Sequence, residues 1–122
     1  MRYWKPFIAD AIEMAKDWGA QEALLLPLYP QFSSTTTGSA LKEWARHWQG
    51  KTTTLCCYPA ADKFIQAHAD AITSAWKKAA APPNPRVLFS AHGLPQRIVD
   101  RGDPYQWQVE QTVCSGTQAA AA

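Results

Sequence analysis

Apolar residues recur at three- and four-residue spacing in three stretches of the chain, and this pattern predicts three amphipathic helices. The first helix is expected to start near Pro6 and to end at Gly19, and the second to stop at Gly50. The third is expected over about residues 63–80. The apolar stripes consist of Ile8, Ala11, Ile12, Ala15 and Trp18; of Leu41, Trp44, Ala45 and Trp48; and of Phe64, Ile65, His68, Ala69, Ile72 and Trp76.

Three other segments have the pattern of β-strands. Residues 23–29 form a continuous apolar run, which is typical of a strand buried on both faces of a parallel sheet. Residues 52–58 are rich in threonine and end at Pro59, and residues 87–89 form a short apolar strand. Because strands and helices alternate, we predict an α/β fold with a small parallel sheet of three strands and flanking helices.

Proline and glycine divide the chain after the third helix. Residues 79–85 contain three prolines and predict an extended linker, so a domain boundary is expected near residue 82. Asp103 followed by Pro104 predicts the capped start of a further helix. Residues 114–122, which end in four alanines, are expected to be an unstructured tail without a functional role.

Composition excludes several classes of function. The chain has 122 residues and a net charge of +2, which argues against binding to nucleic acid. It has no apolar run of about 20 residues and no apolar signal core, so we expect a soluble, cytoplasmic protein. Cys56 and Cys57 are adjacent in a predicted strand, where their side chains would point to opposite faces, so a shared metal is not expected. Cys114 has no C-x-x-C partner either.

His92 is the candidate for chemistry, because it directly follows the predicted strand at residues 87–89. Residues beyond the carboxyl end of a strand in an α/β sheet face the crevice where ligands bind. Imidazole binds a metal or moves a proton near neutral pH, although a loop histidine bonded to a neighbour would fit the position equally well.

The hydroxyl-rich segment at residues 30–39 is a second candidate site. A strand, a loop of this kind and a helix N-terminus together favour an anion, whereas simple capping by Thr37 or Ser39 is the structural alternative. The segment lacks the glycine pattern of the common nucleotide-binding loops.

Several short motifs resemble those of the ferrochelatase family. They are S-A-H-G-L-P at residues 90–95 with G-D-P-Y at 102–105, L-Y-P-Q-F-S-S-T-T-T-G-S at 28–39, and M-R-Y at 1–3. They occur in the family's order and at about its spacing. The resemblance covers about residues 1–113, which correspond to roughly the middle third of a full family member.

The resemblance implies a chelatase-like fold of two Rossmann-like halves. Residues 1–81 would be the C-terminal part of the first half, and residues 82–113 the start of the second. The implied reaction is insertion of Fe²⁺ into protoporphyrin IX in haem biosynthesis, with His92 as the catalytic and metal-binding residue. The residues implied to contact the porphyrin are Arg2, Tyr3, Tyr29, Ser33 and Ser39.

The resemblance also carries expectations about cofactors and partners. Ser34 stands where animal enzymes place a cluster-ligating cysteine, so no iron–sulfur cluster is expected. The partners would be porphyrin and ferrous iron, with peripheral membrane contact in the full-length protein. The acidic residue that faces the histidine in the family comes from a later segment. We therefore expect a truncated chain with little activity of its own, which self-associates through its unpaired sheet edge.

Two other functions remain open from the sequence. One is a porphyrin-binding remnant without turnover, and the other is an α/β module that binds a phosphorylated ligand at residues 37–39. Whether the porphyrin is protoporphyrin or coproporphyrin also remains open.

Overall fold

The computed structural model describes residues 4–121 of the chain. These residues form two compact units, the first ending at Cys57 and the second starting at Tyr58. The predicted contact residues Arg2 and Tyr3 lie outside the described residues. Among residues 4–121, none of the helices is long and apolar enough to cross a membrane. The elements are α1 (Ile8–Asp17), β1 (Glu22–Leu25), α2 (Thr37–His47), β2 (Lys51–Thr54), α3 (Asp62–Lys78), α4 (Gln96–Val99) and α5 (Tyr105–Ala121).

The first unit is a β-α-β arrangement preceded by a helix. Strands β1 and β2 pair in parallel, with Glu22 opposite Lys51, and α2 connects them, as a parallel pair requires a crossover. The backbone N–H of Leu55 donates to the carbonyl of Leu25 over 3.0 Å and continues the ladder by one bond. The carboxyl ends of both strands therefore lie at the same edge of the sheet.

Helices α1 and α2 pack on each other, but the predicted stripes are buried only in part, since Ala11, Trp18 and Ala45 are exposed. Ile12 is fully buried, and Trp48 is nearly so. The indole N–H of Trp44 donates to the hydroxyl of Thr52 over 3.1 Å, which ties α2 to β2. Since both tryptophans contribute packing and a polar contact, they orient the helix on the sheet.

The second unit is built on the packing of α3 against α5. Ile65 and Ala69 of α3 are buried, and the hydroxyl of Thr112 in α5 donates to the carbonyl of Pro59 over 2.7 Å. The carboxylate of Asp103 accepts from the N–H of Tyr105 over 3.0 Å, which is the kind of contact predicted, although the helix begins at Tyr105, one residue later than expected.

The α/β class is confirmed, but the predicted third strand is not formed. Residues 87–89 have no strand pairing, and Leu88 is 94% exposed. A strand needs a neighbouring chain to receive its backbone hydrogen bonds, and the described part of the second unit contains only helices and irregular segments. The sheet therefore has two strands rather than three.

The two strands that do form are shorter and more exposed than predicted. Leu24 is exposed whereas Ala23 and Leu25 are half-buried, so β1 is covered on one face, not on two. Strand β2 ends at Thr54 instead of near Tyr58. The apolar runs correctly predicted strands, but their burial depends on which layers are present to cover them.

The terminal residues are helical, which corrects the expectation of an unstructured tail. Helix α5 continues to Ala121, and Gly116 is buried near His68 of α3. Alanine is the strongest helix former, and packing on α3 supplies the tertiary support that a short helix needs. The division between the two units, after Cys57, falls earlier than the predicted boundary near residue 82. The assignment of residues 1–81 and 82–113 to two chelatase halves stays a prediction.

Candidate functional site

An apolar cavity of about 600 Å³ lies at the carboxyl end of β1 in the first unit. This volume is in the range of pockets that hold a small organic ligand. Side chains from α1, β1, the following loop and α2 surround it. The lining includes Trp4, Ile8, Leu26, Leu28, Tyr29, Thr36, Thr37, Leu41 and Trp44.

The segment after β1 forms one wall of this cavity because proline stops the strand there. Neither Pro27 nor Pro30 can donate to a ladder, and the chain leaves the sheet after Leu25, so that Leu28 and Tyr29 lie outside the sheet. Leu28 is 84% exposed and Tyr29 is 65% exposed. The predicted contact residue Tyr29 therefore lines the cavity with an accessible side chain.

Ser33 organises the loop that leads to α2. Its side chain is buried, with a hydroxyl 2.8 Å from that of Thr35 and 3.1 Å from the N–H of Thr35. Its carbonyl accepts from the N–H groups of Thr36 and Gly38. Ser33 does not lie among the cavity's lining residues. Its geometry indicates support of the loop, and its predicted contact with a porphyrin stays a prediction.

Thr37 is a buried polar residue in the cavity wall. It is 3% exposed, and its hydroxyl has no hydrogen-bond partner within the described residues. Burying a hydroxyl without a hydrogen-bond partner lowers the stability of the fold by about 1–3 kcal/mol. A ligand that accepts a hydrogen bond from Thr37 would offset this loss. The alternative of capping by the side chain of Thr37 does not hold, because its hydroxyl makes no hydrogen bond in the part of the chain that the structure describes. Thr36 is the N-cap residue, and its side chain makes no capping hydrogen bond.

The first turn of α2 has an electrostatic preference for anions. The helix dipole favours negative charge at this end, and this turn contains no acidic residue, although the N–H of Gly38 is already bonded to the carbonyl of Ser33. Together with the hydroxyl of Thr37, this end of the helix offers donors to an acidic group at the edge of an apolar ligand. Ser39 lies in the same turn and is half-buried.

His92 lies in an irregular segment of the second unit, not at a strand end. It is exposed, and its Nδ1 is 2.9 Å from the carbonyl oxygen of Gly93. Because a carbonyl oxygen only accepts, this contact places the proton on Nδ1 and leaves the lone pair on Nε2. Metal-ligating histidines commonly hold their tautomer in this way.

The other two histidines have structural surroundings, as the sequence predicts. Nδ1 of His68 is 3.0 Å from the carbonyl of Phe64, whose ring it meets edge to face. His47 is exposed and 3.3 Å from the carboxylate of Glu43. Within residues 4–121, no three His, Cys, Asp or Glu side chains gather into a metal-binding group.

Comparison with known proteins adds the family. A model of the family described as Ferrochelatase matches residues 1–121. The chain belongs to the ferrochelatase family. The ferrochelatase of Hyphomonas neptunium is 54% identical over 110 residues, covering 90% of this chain and 31% of that protein. Those of Phenylobacterium zucineum and Caulobacter vibrioides are 49% and 48% identical over 117 residues, covering 94% of this chain and 34% of each.

The chain spans about a third of the length of the curated relatives it matches. The family match includes both the loop at residues 28–39, which borders the cavity, and the segment at 90–95, which carries His92. The family resemblance inferred from the motifs is therefore confirmed.

The structure adds residues to the candidate site that sequence reasoning did not select. The sequence pattern assigns Trp44 to helix packing, gives no role to Trp4, and offers Thr37 only as a helix cap or as part of an anion site at residues 37–39. The periodic pattern indicates Trp44, because it places this residue on the apolar stripe of α2, and Trp44 lines the cavity. The local sequence does not distinguish Thr37 from the neighbouring threonines. What distinguishes it is that its buried hydroxyl has no hydrogen-bond partner within the described residues of the folded unit.

Proposed function

We propose that this chain is part of a ferrochelatase, a lyase of haem biosynthesis that inserts Fe²⁺ into protoporphyrin IX. The observation that carries the proposal is the family match over residues 1–121, which includes the cavity loop and the His92 segment. In the reaction, two pyrrole N–H bonds break, iron binds the four ring nitrogens, and two protons leave. Iron is a substrate here.

The cavity in the first unit has the chemistry that a porphyrin requires. The macrocycle is a broad apolar ring with two carboxylates at its edge, and the cavity is apolar with donors at one end. We assign the carboxylate end to the first turn of α2, with Thr37 donating. Tyr29 contacts the porphyrin ring, and Ser33 and Ser39 support the loop that borders the cavity. Arg2 and Tyr3 are assigned to porphyrin contact on the family resemblance alone.

His92 is assigned two steps in this proposal. The lone pair on Nε2 would hold ferrous iron, since imidazole suits borderline metals, or accept a pyrrole proton. One imidazole rarely fixes a metal, because protein sites commonly use three or more ligands. The chain by itself is therefore expected to insert iron slowly.

Location and association belong to the same proposal. We place the protein in the cytoplasm, with peripheral contact between the full-length protein and a membrane, and with no iron–sulfur cluster. Self-association of the chain is supported by its exposed apolar side chains, among them Trp18, Leu24 and Leu28. Sedimentation that depends on concentration would agree with this expectation, and a sharp monomer at all concentrations would contradict it.

The test uses the purified chain with protoporphyrin IX, first without metal and then with Fe²⁺ under anaerobic conditions. We expect a shift of the porphyrin's main absorption band on binding and slow insertion above the uncatalysed rate. His92→Ala should remove insertion and leave binding unchanged. His47→Ala, at an exposed helix position, is the matched control and should change neither.

Each outcome of this test bears on a separate part of the proposal. Absence of a spectral shift would contradict porphyrin binding by the chain. Iron insertion by His92→Ala at the original rate would contradict a role of His92 in the reaction. Insertion as fast as a full-length ferrochelatase would contradict the expected low activity. Binding without any insertion by the unaltered chain would favour a porphyrin-binding remnant.

A phosphorylated ligand is the second candidate, and the hydroxyl of Thr37 at the first turn of α2 favours it. This function predicts that inorganic phosphate stabilises the chain against heat and that Thr37→Val removes the effect. It also predicts indifference to His92→Ala. Porphyrin binding that phosphate does not weaken would argue against it.

A further inference from the structure

Cys56 and Cys57 bring two thiols together at the carboxyl end of β2. The sulfur atoms are 3.0 Å apart, and neither is in a disulfide. Both residues lie beyond the last strand residue, Thr54, so the alternation that would separate them in a strand does not apply. The prediction that they point to opposite faces is wrong for this reason.

We propose that Cys56 and Cys57 form a chelating site for a trivalent arsenical, with one arsenic atom bonded to both sulfurs. The side chain of Cys56 is exposed, so a small molecule reaches the pair from solvent. This site is independent of the porphyrin cavity, whose lining includes neither cysteine.

The distance between the two sulfur atoms distinguishes zinc from trivalent arsenic as the ligand of this pair. A tetrahedral zinc with bonds of about 2.3 Å would hold two sulfurs about 3.8 Å apart, and it would need two further ligands. Trivalent arsenic is pyramidal, its bonds to sulfur meet at close to a right angle, and a shorter separation suits it. An organic arsenical needs only two sulfurs, because its third bond goes to carbon.

The protonation state of the pair agrees with this ligand. The hydrogen bond that Cys56 shares with Cys57 raises the pKa of the Cys56 thiol, and slight burial and the charge of Cys57 add to the rise. Zinc binds thiolates, whereas a trivalent arsenical condenses with thiols. Two S–H and two As–OH bonds break, two As–S bonds form, and two waters leave. Arsenic stays trivalent, so no oxidant or reductant is needed.

Chelation makes the site distinguishable from a single cysteine. After the first As–S bond forms, the second thiol reacts within the same molecule, and linked binding of this kind gains about 10²–10⁴-fold in affinity. A monothiol competitor therefore cannot displace the arsenical, whereas a dithiol can. Cys114 is exposed in α5 and offers a single sulfur as an internal comparison.

The experiment adds phenylarsine oxide to the full chain and follows the intact mass. We expect one phenylarsenic group per chain, stable to excess 2-mercaptoethanol and removed by 2,3-dimercaptopropanol. Cys56→Ser and Cys57→Ser should each weaken binding about 100-fold, and the matched control Cys114→Ser should bind as the unaltered chain does. Circular dichroism verifies that each variant is folded. If Cys57→Ser does not fold, Cys56→Ser still tests the proposal, because Cys56 is exposed.

Three results would overturn the proposal. They are no adduct on the unaltered chain, an adduct that 2-mercaptoethanol removes, and an adduct that survives in folded Cys56→Ser but is lost in Cys114→Ser.

Discussion

The hydroxyl of Thr37 offers a test in which stability and ligand binding move in opposite directions. This hydroxyl is buried and has no partner within the described residues. Thr37→Val keeps the shape of the side chain and replaces the hydroxyl with a methyl group. Since the two residues have similar helix propensity, the main change is removal of the desolvated hydroxyl. The free energy of unfolding should rise by about 1–3 kcal/mol.

The size of this change is within reach of thermal unfolding. For a unit of this size, 1 kcal/mol corresponds to a shift of about 4–8 °C in Tm, so an increase of at least several degrees is expected by circular dichroism. Thr35→Val is the matched control. Its hydroxyl is bonded to that of Ser33 at 2.8 Å, so the same substitution should lower Tm or leave it unchanged.

Binding gives the second half of the test. If Thr37 donates to a carboxylate of the porphyrin, Thr37→Val should weaken porphyrin binding while it stabilises the chain, because a hydrogen bond to a charged group contributes about 1.5–3 kcal/mol. A fall in Tm similar to that of Thr35→Val would refute the claim that the hydroxyl lacks a partner. Unchanged porphyrin affinity in a stabilised variant would refute its role in binding.

Three further predictions concern packing and protonation. A Cβ at Gly50 would lie 2.6 Å from the backbone oxygen of the residue before β1, so Gly50→Ala should lower the free energy of unfolding in urea by about 1–3 kcal/mol. The control Gly93→Ala, at a position with open space, should change this free energy little. Equal losses in the two variants would contradict the close contact at Gly50. Thr112→Val removes the 2.7 Å bond to the Pro59 carbonyl and should destabilise the second unit by about 1–3 kcal/mol, whereas an unchanged urea midpoint would show the bond to be dispensable. The pKa of the Cys56 thiol is raised in the folded chain, so as pH rises this thiol ionises in the unfolded chain before it does in the folded one. The free energy of unfolding should therefore fall as pH rises above about 8.5. Cys56→Ser should reduce this fall, and an identical pH profile in the variant would contradict a contribution from Cys56.

The helices of this chain follow from local sequence. Ile12 and Ile65, which belong to two of the predicted stripes, are buried in α1 and α3, and the carboxylate of Asp103 lies at the start of α5 as its sequence position indicates. Helical hydrogen bonds and caps join residues that are close along the chain, so spacing and residue type suffice to predict them. Family membership was likewise readable from short motifs.

Features that depend on a partner distant in the sequence were decided by the tertiary structure. Residues 87–89 have the composition of a strand but no neighbour to pair with, and the tail at residues 114–121 became helical where it packs on α3. The same holds for the contact between the two thiols, since it exists only because β2 ends before Cys56.

The candidate site shows the same division. Its residues follow a proline-interrupted strand that the sequence marks clearly, and Tyr29 lines the cavity as its position suggested. The missing partner of Thr37 and the burial of Ser33 could not be read from a run of similar hydroxyl residues. Burial and hydrogen bonding of a side chain are properties of its surroundings, and those exist only once helix and sheet have packed.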